Sequence, residues 1–148
     1  MVARETILQA LFDLFADLPG LVTASRRPRY WSDVPREEQP ALFLGAGDQT
    51  PRNDSSGLPI SWALDATLYL YVQSTEQAVP PSIILNGYLD RIEALLTPLA
   101  PGAPWPAGFC SLGGLVNHVW ISGPITTSGD VLGDQGVAMI PLQILANV

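Results

Sequence analysis

The sequence contains one histidine, His118, and one cysteine, Cys110, the two side-chain types best suited to act as a base or a nucleophile near neutral pH. A serine or cysteine hydrolase needs a histidine beside its nucleophile, and His118 is the one residue able to fill that role. His118 stands in the strand-like stretch VNHVW, and Cys110 stands in GFCSLGG, which matches no nucleophile signature. We therefore interpret His118 as an ordinary strand histidine and Cys110 as a small apolar side chain that fills space.

Paired carboxylates are a common means of acid–base catalysis, and two pairs of acids lie close enough in sequence to be considered. Glu37 is followed directly by Glu38, and Asp130 lies four residues before Asp134. Nothing in the sequence aims either pair at a common point, so we interpret all of them as solvated surface groups. We expect no catalytic residue and no enzymatic activity.

Metal and phosphate sites require ligand spacings that this sequence does not show. One histidine and one cysteine cannot build a zinc site, and the stretch DQTPRND lacks the spacing of a calcium-binding loop. The glycines of GAGDQ and SLGGL have neither the P-loop spacing nor the dinucleotide-binding fingerprint. We therefore expect no metal and no cofactor, and we interpret these glycines as turns.

Binding chemistry is better represented, because arginine and aromatic residues gather in the stretch TASRRPRYW, residues 23–31. The residues that we call the arginine–aromatic cluster are Arg26, Arg27, Arg29, Tyr30 and Trp31. These residue types are enriched at the hot spots of protein interfaces. Pro28 prevents the stretch from continuing as an interior strand, so the arginines should lie at the rim of the sheet and meet acidic groups of an adjacent subunit or partner. The alternative is that they pair with Glu37 and Glu38 of the same chain.

A second candidate surface is the polar face of the stretch WALDATLYLYV, residues 62–72. Alternation places Asp65, Thr67, Tyr69 and Tyr71 on one side of this strand and apolar residues on the other. We expect Asp65, Tyr69 and Tyr71 to take part in an interface. The alternative is a solvated sheet face with ordinary cross-strand pairs.

Two amphipathic helices are predicted to position these strands. The first covers residues 4–18, where apolar residues recur every three or four positions before a Pro-Gly pair. The second has Ser82 as its N-cap, after two prolines, and stops at Pro98. Gly87 weakens the second helix, and a glycine at such a position permits a neighbouring backbone to come close.

The remaining segments complete the predicted fold. Strands are predicted in LVTASRR, PALFLGAG, WALDATLYLYV, GLVNHVWIS and GVAMIPLQILANV. Residues 48–58 and 124–135 are rich in small and polar residues, have no apolar period, and are expected to be mobile loops that become ordered on docking. We therefore predict one domain, residues 1–148, of the α+β class: a mostly antiparallel sheet of four to five strands flanked by two helices, in the order α-β-β-β-α-β-β.

The bulk composition limits the partners. The formal net charge of −7 argues against general affinity for nucleic acid and for an anionic membrane surface. No apolar run reaches the roughly 18 to 20 residues of a spanning helix, and a single cysteine excludes an internal disulfide, so we expect a soluble chain made inside a cell. A hydrophobic fraction of 47% with only 14% charged residues also suggests that other subunits cover part of the apolar surface.

In the order of these elements the sequence resembles the tail terminator proteins of long-tailed bacteriophages, also called tail completion or minor tail protein U-like proteins. The resemblance spans nearly the whole chain. It runs through the stretches ETILQALFDLF, SRRPRYWSDV, EEQPALFL, WALDATLYLYV and SIILNGYLDRIEALL, and it ends with the terminal pair of strands.

The resemblance implies a structural protein of the virion. Tail terminators assemble as hexameric rings on the finished tail tube, stop its polymerisation and present a surface to the head connector. The implied partners are other copies of the chain, the tail tube protein and a connector or neck protein. Genome DNA would pass through the ring without specific recognition, and no membrane is involved. The implied location is the head-proximal end of the tail, and the host cytoplasm during assembly.

Two alternatives remain at this point. One is another phage structural protein, either a neck protein or a subunit resembling the tail tube. The other belongs to a different class: a small-molecule-binding or catalytic α+β domain that uses Asp65, His118 and the tyrosines.

Overall fold

The structure, a computed structural model, describes residues 2–53, 61–96, 110–128, 130 and 132–148. The elements are, in chain order, α1 (Arg4–Ala16), β1 (Thr23–Ser25), β2 (Ala41–Arg52), β3 (Ser61–Gln73), α2 (Pro81–Leu96), β4 (His118–Ile121), β5 (Thr126–Thr127) and β6 (Gln135–Ala146). Two short 3₁₀ turns, Trp31–Asp33 and Arg36–Glu38, lie between β1 and β2.

Six strands form one mixed sheet. The order across the sheet is β1-β2-β3-β6-β4, and β5 pairs with β6 as well. The long strands β2, β3 and β6 are antiparallel to one another, whereas β1 is parallel to β2. The α+β class and the two flanking helices are as predicted. The predicted order was incomplete, because β5 lies between β4 and β6 in the chain, and the sheet is mixed because of β1.

The parallel pairing of β1 depends on the segment that follows it. A parallel neighbour requires the chain to return to its starting end, which a tight hairpin cannot do. Residues 26–40, which we call the crossover segment, make this return through the two 3₁₀ turns. At its end the carbonyl of Pro40 accepts hydrogen bonds from the N–H groups of Val22 (2.8 Å) and Thr23 (3.3 Å), which set the register of β1 on β2.

The predicted loop at residues 48–58 is wrong in its first half. Residues 48–52 continue β2 and pair with the start of β3, after a bulge between Ala46 and Gln49. This part of β2 is exposed, so it lacks the apolar alternation by which a strand is recognised from sequence. Residues 54–58 lie outside the described part of the chain. In the second predicted loop, residues 126–127 form β5 and Gln135 begins β6, and the mobility of its remainder stays a prediction.

The core lies between the helices and one face of the sheet. The apolar side of β3 is buried as predicted, and the apolar stripe of α1 packs on it, although the helix ends at Ala16 rather than at residue 18. The largest side chains that are almost completely buried here are Ile7, Leu11, Phe15, Leu42, Leu44, Leu64, Leu68, Leu70, Leu85, Ile92 and Ile140. We call this side of the sheet the inner face.

Gly136, in β6, is a point where α2 packs tightly on the sheet. A Cβ atom on Gly136 would lie 2.9 Å from Cδ1 of Leu85 and 3.0 Å from Cβ of Pro81. We therefore expect Gly136→Ala to lower the free energy of unfolding by about 1 to 3 kcal/mol, because the start of α2 must move outward. Urea denaturation measures this change. The control is Gly123→Ala, where the added carbon would meet Pro141 at an ordinary 3.6 Å; equal effects at the two positions would contradict the prediction.

Candidate functional site: the outer face of the sheet

The face of the sheet turned away from the helices, which we call the outer face, carries the predicted interface residues of β3. Tyr69 lies between Phe43 of β2 and Met139 of β6, and Asp65 lies opposite Gln143 of β6. Unlike the inner face, this face has no helix packed on it among the described residues. Of the described residues, those of the crossover segment cover this face, and they do so at one end.

The crossover segment forms a second, smaller apolar cluster with the outer face. Its buried members are Val34, Ala41, Phe43 and Tyr71, with Trp31, Tyr69 and Val137 packed around them. The side chain of Gln39 also fixes the segment, since its amide donates a 3.0 Å hydrogen bond to the carbonyl of Val34. The arginine–aromatic cluster is therefore held on the outer face by its own small core.

Tyr71 of β3 holds the crossover segment on the outer face. Its hydroxyl donates a 2.7 Å hydrogen bond to the carbonyl of Arg29, and only 4% of the residue is exposed. Burial, and to a lesser degree the neighbouring Tyr69, raises the pKa of Tyr71 above its ordinary value of 10.0. The folded chain thus holds this proton more tightly than the unfolded chain, so its contribution to stability is complete below pH 10 and is lost as the pH rises further.

Beside the anchored segment the outer face opens into an apolar groove of about 330 Å³. The groove is lined by Tyr30, Trp31, Thr126, Thr127, Ser128, Leu132, Val137 and Met139. Two of the most exposed large apolar side chains of the described protein stand here, Tyr30 at 65% and Met139 at 41%. Exposed apolar side chains grouped around a groove are typical of binding surfaces.

One wall of the groove belongs to the described residues within 122–134, which we call the arm. The arm runs alongside β6. The hydroxyl of Ser128 accepts a hydrogen bond from the N–H of Val137 (3.3 Å), and the N–H of Ser128 donates one to the carbonyl of Val137 (3.0 Å). Asp130 then ties the arm to the start of α2: its carboxylate accepts 2.8 Å hydrogen bonds from the N–H and the hydroxyl of Ser82. The prediction of Ser82 as N-cap is wrong, because α2 begins at Pro81 and the capping carboxylate comes from the distant arm.

Removing this cap should loosen both the arm and the helix. We expect Asp130→Gly to lower the free energy of unfolding by about 1 kcal/mol, as loss of a capping side chain does, and to speed hydrogen exchange at the Ser82 amide. Glycine is the replacement of choice because Asp130 has a φ of 64°. The control is Asp134→Ala, which removes only an exposed 3.4 Å ion pair with Arg36 and should change stability by less than about 0.5 kcal/mol. Unchanged exchange at Ser82 would show that Asp130 does not cap the helix.

The three arginines of the cluster have different contacts in the structure. Arg26 forms an ion pair with Glu5 of α1, and Arg29 forms one with Glu38 and also lies over the ring of Phe43, 5.4 Å from its centroid. These contacts realise the alternative of pairing within the chain, although the partner of Arg26 is not one of the predicted acids. Arg27 is exposed, and its guanidinium meets no acid in the described part of the chain. A role of these residues in an interface stays a prediction, and Arg27 is the best placed for it.

Asp65 and His118, which the catalytic alternative would use together with the tyrosines, do not line the groove. Asp65 accepts a 2.8 Å hydrogen bond from the amide of Gln143. His118 begins β4, as its strand-like context predicted, and stacks on Trp120 with 4.4 Å between the ring centroids. Cys110 is partly buried against the core beside Val119. The structure therefore does not bring Asp65, His118 and the groove together.

Sequence reasoning missed the groove wall formed by β6 and the arm. Met139 and Val137 contribute to it from β6, and Leu132 contributes from the arm. A signal was available: GVAMIPLQIL is apolar at nearly every position, which indicates a strand covered on both faces. The residues of the strand do not indicate which other segment covers its second face.

Three further findings bear on function. The sequence matches no protein-family model and no curated protein. Among the described residues, no three histidine, cysteine or acidic side chains lie close enough to hold a metal ion. None of the described helices is both long and apolar enough to span a membrane.

Proposed function

We propose that this chain is the ring-forming subunit of a bacteriophage tail terminator, which caps the tail tube, ends its polymerisation and offers a joining surface to the head connector. The observation that carries the proposal is the outer face, which the described residues cover at one end only, with its apolar groove between Tyr30, Trp31 and Met139. Apolar surface of this kind marks a protein partner. The element order and the motifs described above supply the class of partner.

A ring suits the charges as well as the apolar surface. In a closed ring each subunit presents two different faces to its two neighbours, so a cationic rim on one face can meet an acidic surface on the other. Arg27 supplies the cation, three residues before Tyr30 of the groove, in a chain whose net charge is −7. The excess of negative charge also suits a channel through which DNA passes without being retained.

The oligomeric mass tests this proposal directly. Light scattering is run on the chain alone and after mixing with tail tubes, because a terminator can remain monomeric until it meets the tube, and negative-stain images of the mixtures are collected. We expect a mass of six subunits in at least one condition, together with rings on tube ends. A chain that stays monomeric in both conditions would overturn the proposal. Rings that bind the head connector but not the tail tube would point to a neck protein instead.

A further inference from the structure

Helix α2 carries an exposed stripe on the side opposite to its buried residues. The members of this stripe, spaced so that they share one helical face, are Ile83, Asn86, Gly87 and Asp90. Ile83 is a large aliphatic side chain that is 58% exposed, and it lies one turn before Gly87. The stripe therefore combines an apolar anchor, a position without a side chain and a carboxylate.

Gly87 is the residue that needs an explanation. Glycine is the least favourable residue after proline in a helix interior. Apart from its chain neighbours and the backbone of α2 itself, no described atom lies within 4 Å of the place where a Cβ on Gly87 would stand, so no other described element requires a glycine here. A surface glycine lets another backbone approach the helix closely. The reason for Gly87 is thus expected outside the described residues.

Charge indicates what approaches. Asp90 is exposed at the edge of the stripe, and no described cation pairs with it. Of the arginines, Arg27 and Arg52 are those whose guanidinium has no described partner of any kind, and Arg27 lies close in sequence to Tyr30 of the groove. The chain itself therefore carries the complement of the stripe: a cation without a described partner, three residues before Tyr30, which lines a groove of about 330 Å³ that is large enough for an isoleucine side chain.

We propose that the stripe on α2 is covered by a second copy of the chain, whose groove receives Ile83 and whose Arg27 pairs with Asp90, while its backbone passes close to Gly87. The stripe lies on the inner side of the sheet and the groove on the outer side, so the contact joins two different surfaces and repeats from subunit to subunit. The inference rests on the proposed ring assembly, and it specifies which surfaces meet.

Two substitutions at Gly87 separate helix stability from docking. At dilutions where the chain is monomeric, Gly87→Ala should raise the melting temperature by about 3 °C, because alanine favours the helix. Gly87→Gln also favours the helix, yet its side chain blocks close approach, so assembly should weaken by at least about tenfold. Thr6→Gln, on the exposed face of α1, is the matched control and should assemble normally. A lower melting temperature for monomeric Gly87→Ala would mean that the same chain packs on Gly87, and would overturn the inference.

A reciprocal exchange of charge tests the partner. Arg27→Glu alone and Asp90→Arg alone should each weaken assembly, and the two together should restore it at least in part, because the pair is re-formed with opposite polarity. A double variant no better than the single ones would overturn the pairing. If every variant forms rings as readily as the unchanged chain, the inference fails and the proposed function stands. If the unchanged chain forms no ring with or without tail tubes, the proposed function fails first.

Discussion

Replacing Arg27 by Glu and Tyr30 by Ala together should weaken ring formation or tube capping by at least about 30-fold, the equivalent of losing one interface hot spot of about 2 kcal/mol. The same change should leave the melting temperature within about 2 °C of the unchanged chain. Both side chains are exposed in the single chain, and Tyr30 is 65% exposed, so the fold loses little when they are replaced. Assembly is measured by light scattering with tail tubes, and stability by thermal unfolding of the monomer.

Two variants guard this result against trivial explanations. Arg52→Glu makes the same change of charge at the other guanidinium without a described partner, at the end of β2 and away from the groove, and should assemble normally. Arg26→Ala removes the ion pair with Glu5, whose side chain is 73% exposed, so stability should fall by less than about 1 kcal/mol. Normal capping by the Arg27 and Tyr30 double variant would show that the exposed half of the cluster is not an interface.

The largest effect on stability is expected for Phe43→Ala, which should lower the free energy of unfolding by about 3 to 5 kcal/mol. Phe43 is completely buried between β2 and the crossover segment. Its ring lies 5.6 Å from the ring of Tyr71 and under the guanidinium of Arg29, so the substitution leaves a cavity beneath the segment and removes both aromatic and cation–π contacts.

The position of Phe43 gives this substitution a second consequence. Because the small core around it holds the arginine–aromatic cluster on the outer face, its loss should release the segment before the rest of the sheet unfolds. Hydrogen exchange should therefore become faster at Val34 and Gln39, while the centre of β3 stays protected. Phe43→Leu, which keeps most of the volume, should cost no more than about 1.5 kcal/mol. Equal exchange in both regions would show that the segment and the sheet unfold as one unit.

Much of the fold follows from short-range patterns that any part of the chain carries by itself. The alternation of β3 fixes which of its side chains face the helices, and the repeat of Ile7, Leu11 and Phe15 fixes the buried side of α1. The residue types of the arginine–aromatic cluster predict a segment suited to binding, and that role stays a prediction. These conclusions need only local periodicity and residue chemistry, because an amphipathic element buries its apolar face whichever element it packs against.

The pairings between distant segments are what the tertiary structure decided. Arg26 meets Glu5 rather than the nearby acids of its own segment, and Asp130 caps a helix that begins far away in the sequence. Strand β1 is parallel because the crossover segment carries the chain back over the outer face, and that same path creates the groove with Met139. Each of these contacts depends on which elements become neighbours after the sheet has formed. Exposed ion pairs between an arginine and different acids have similar energies, so only the geometry of the folded chain selects the partner.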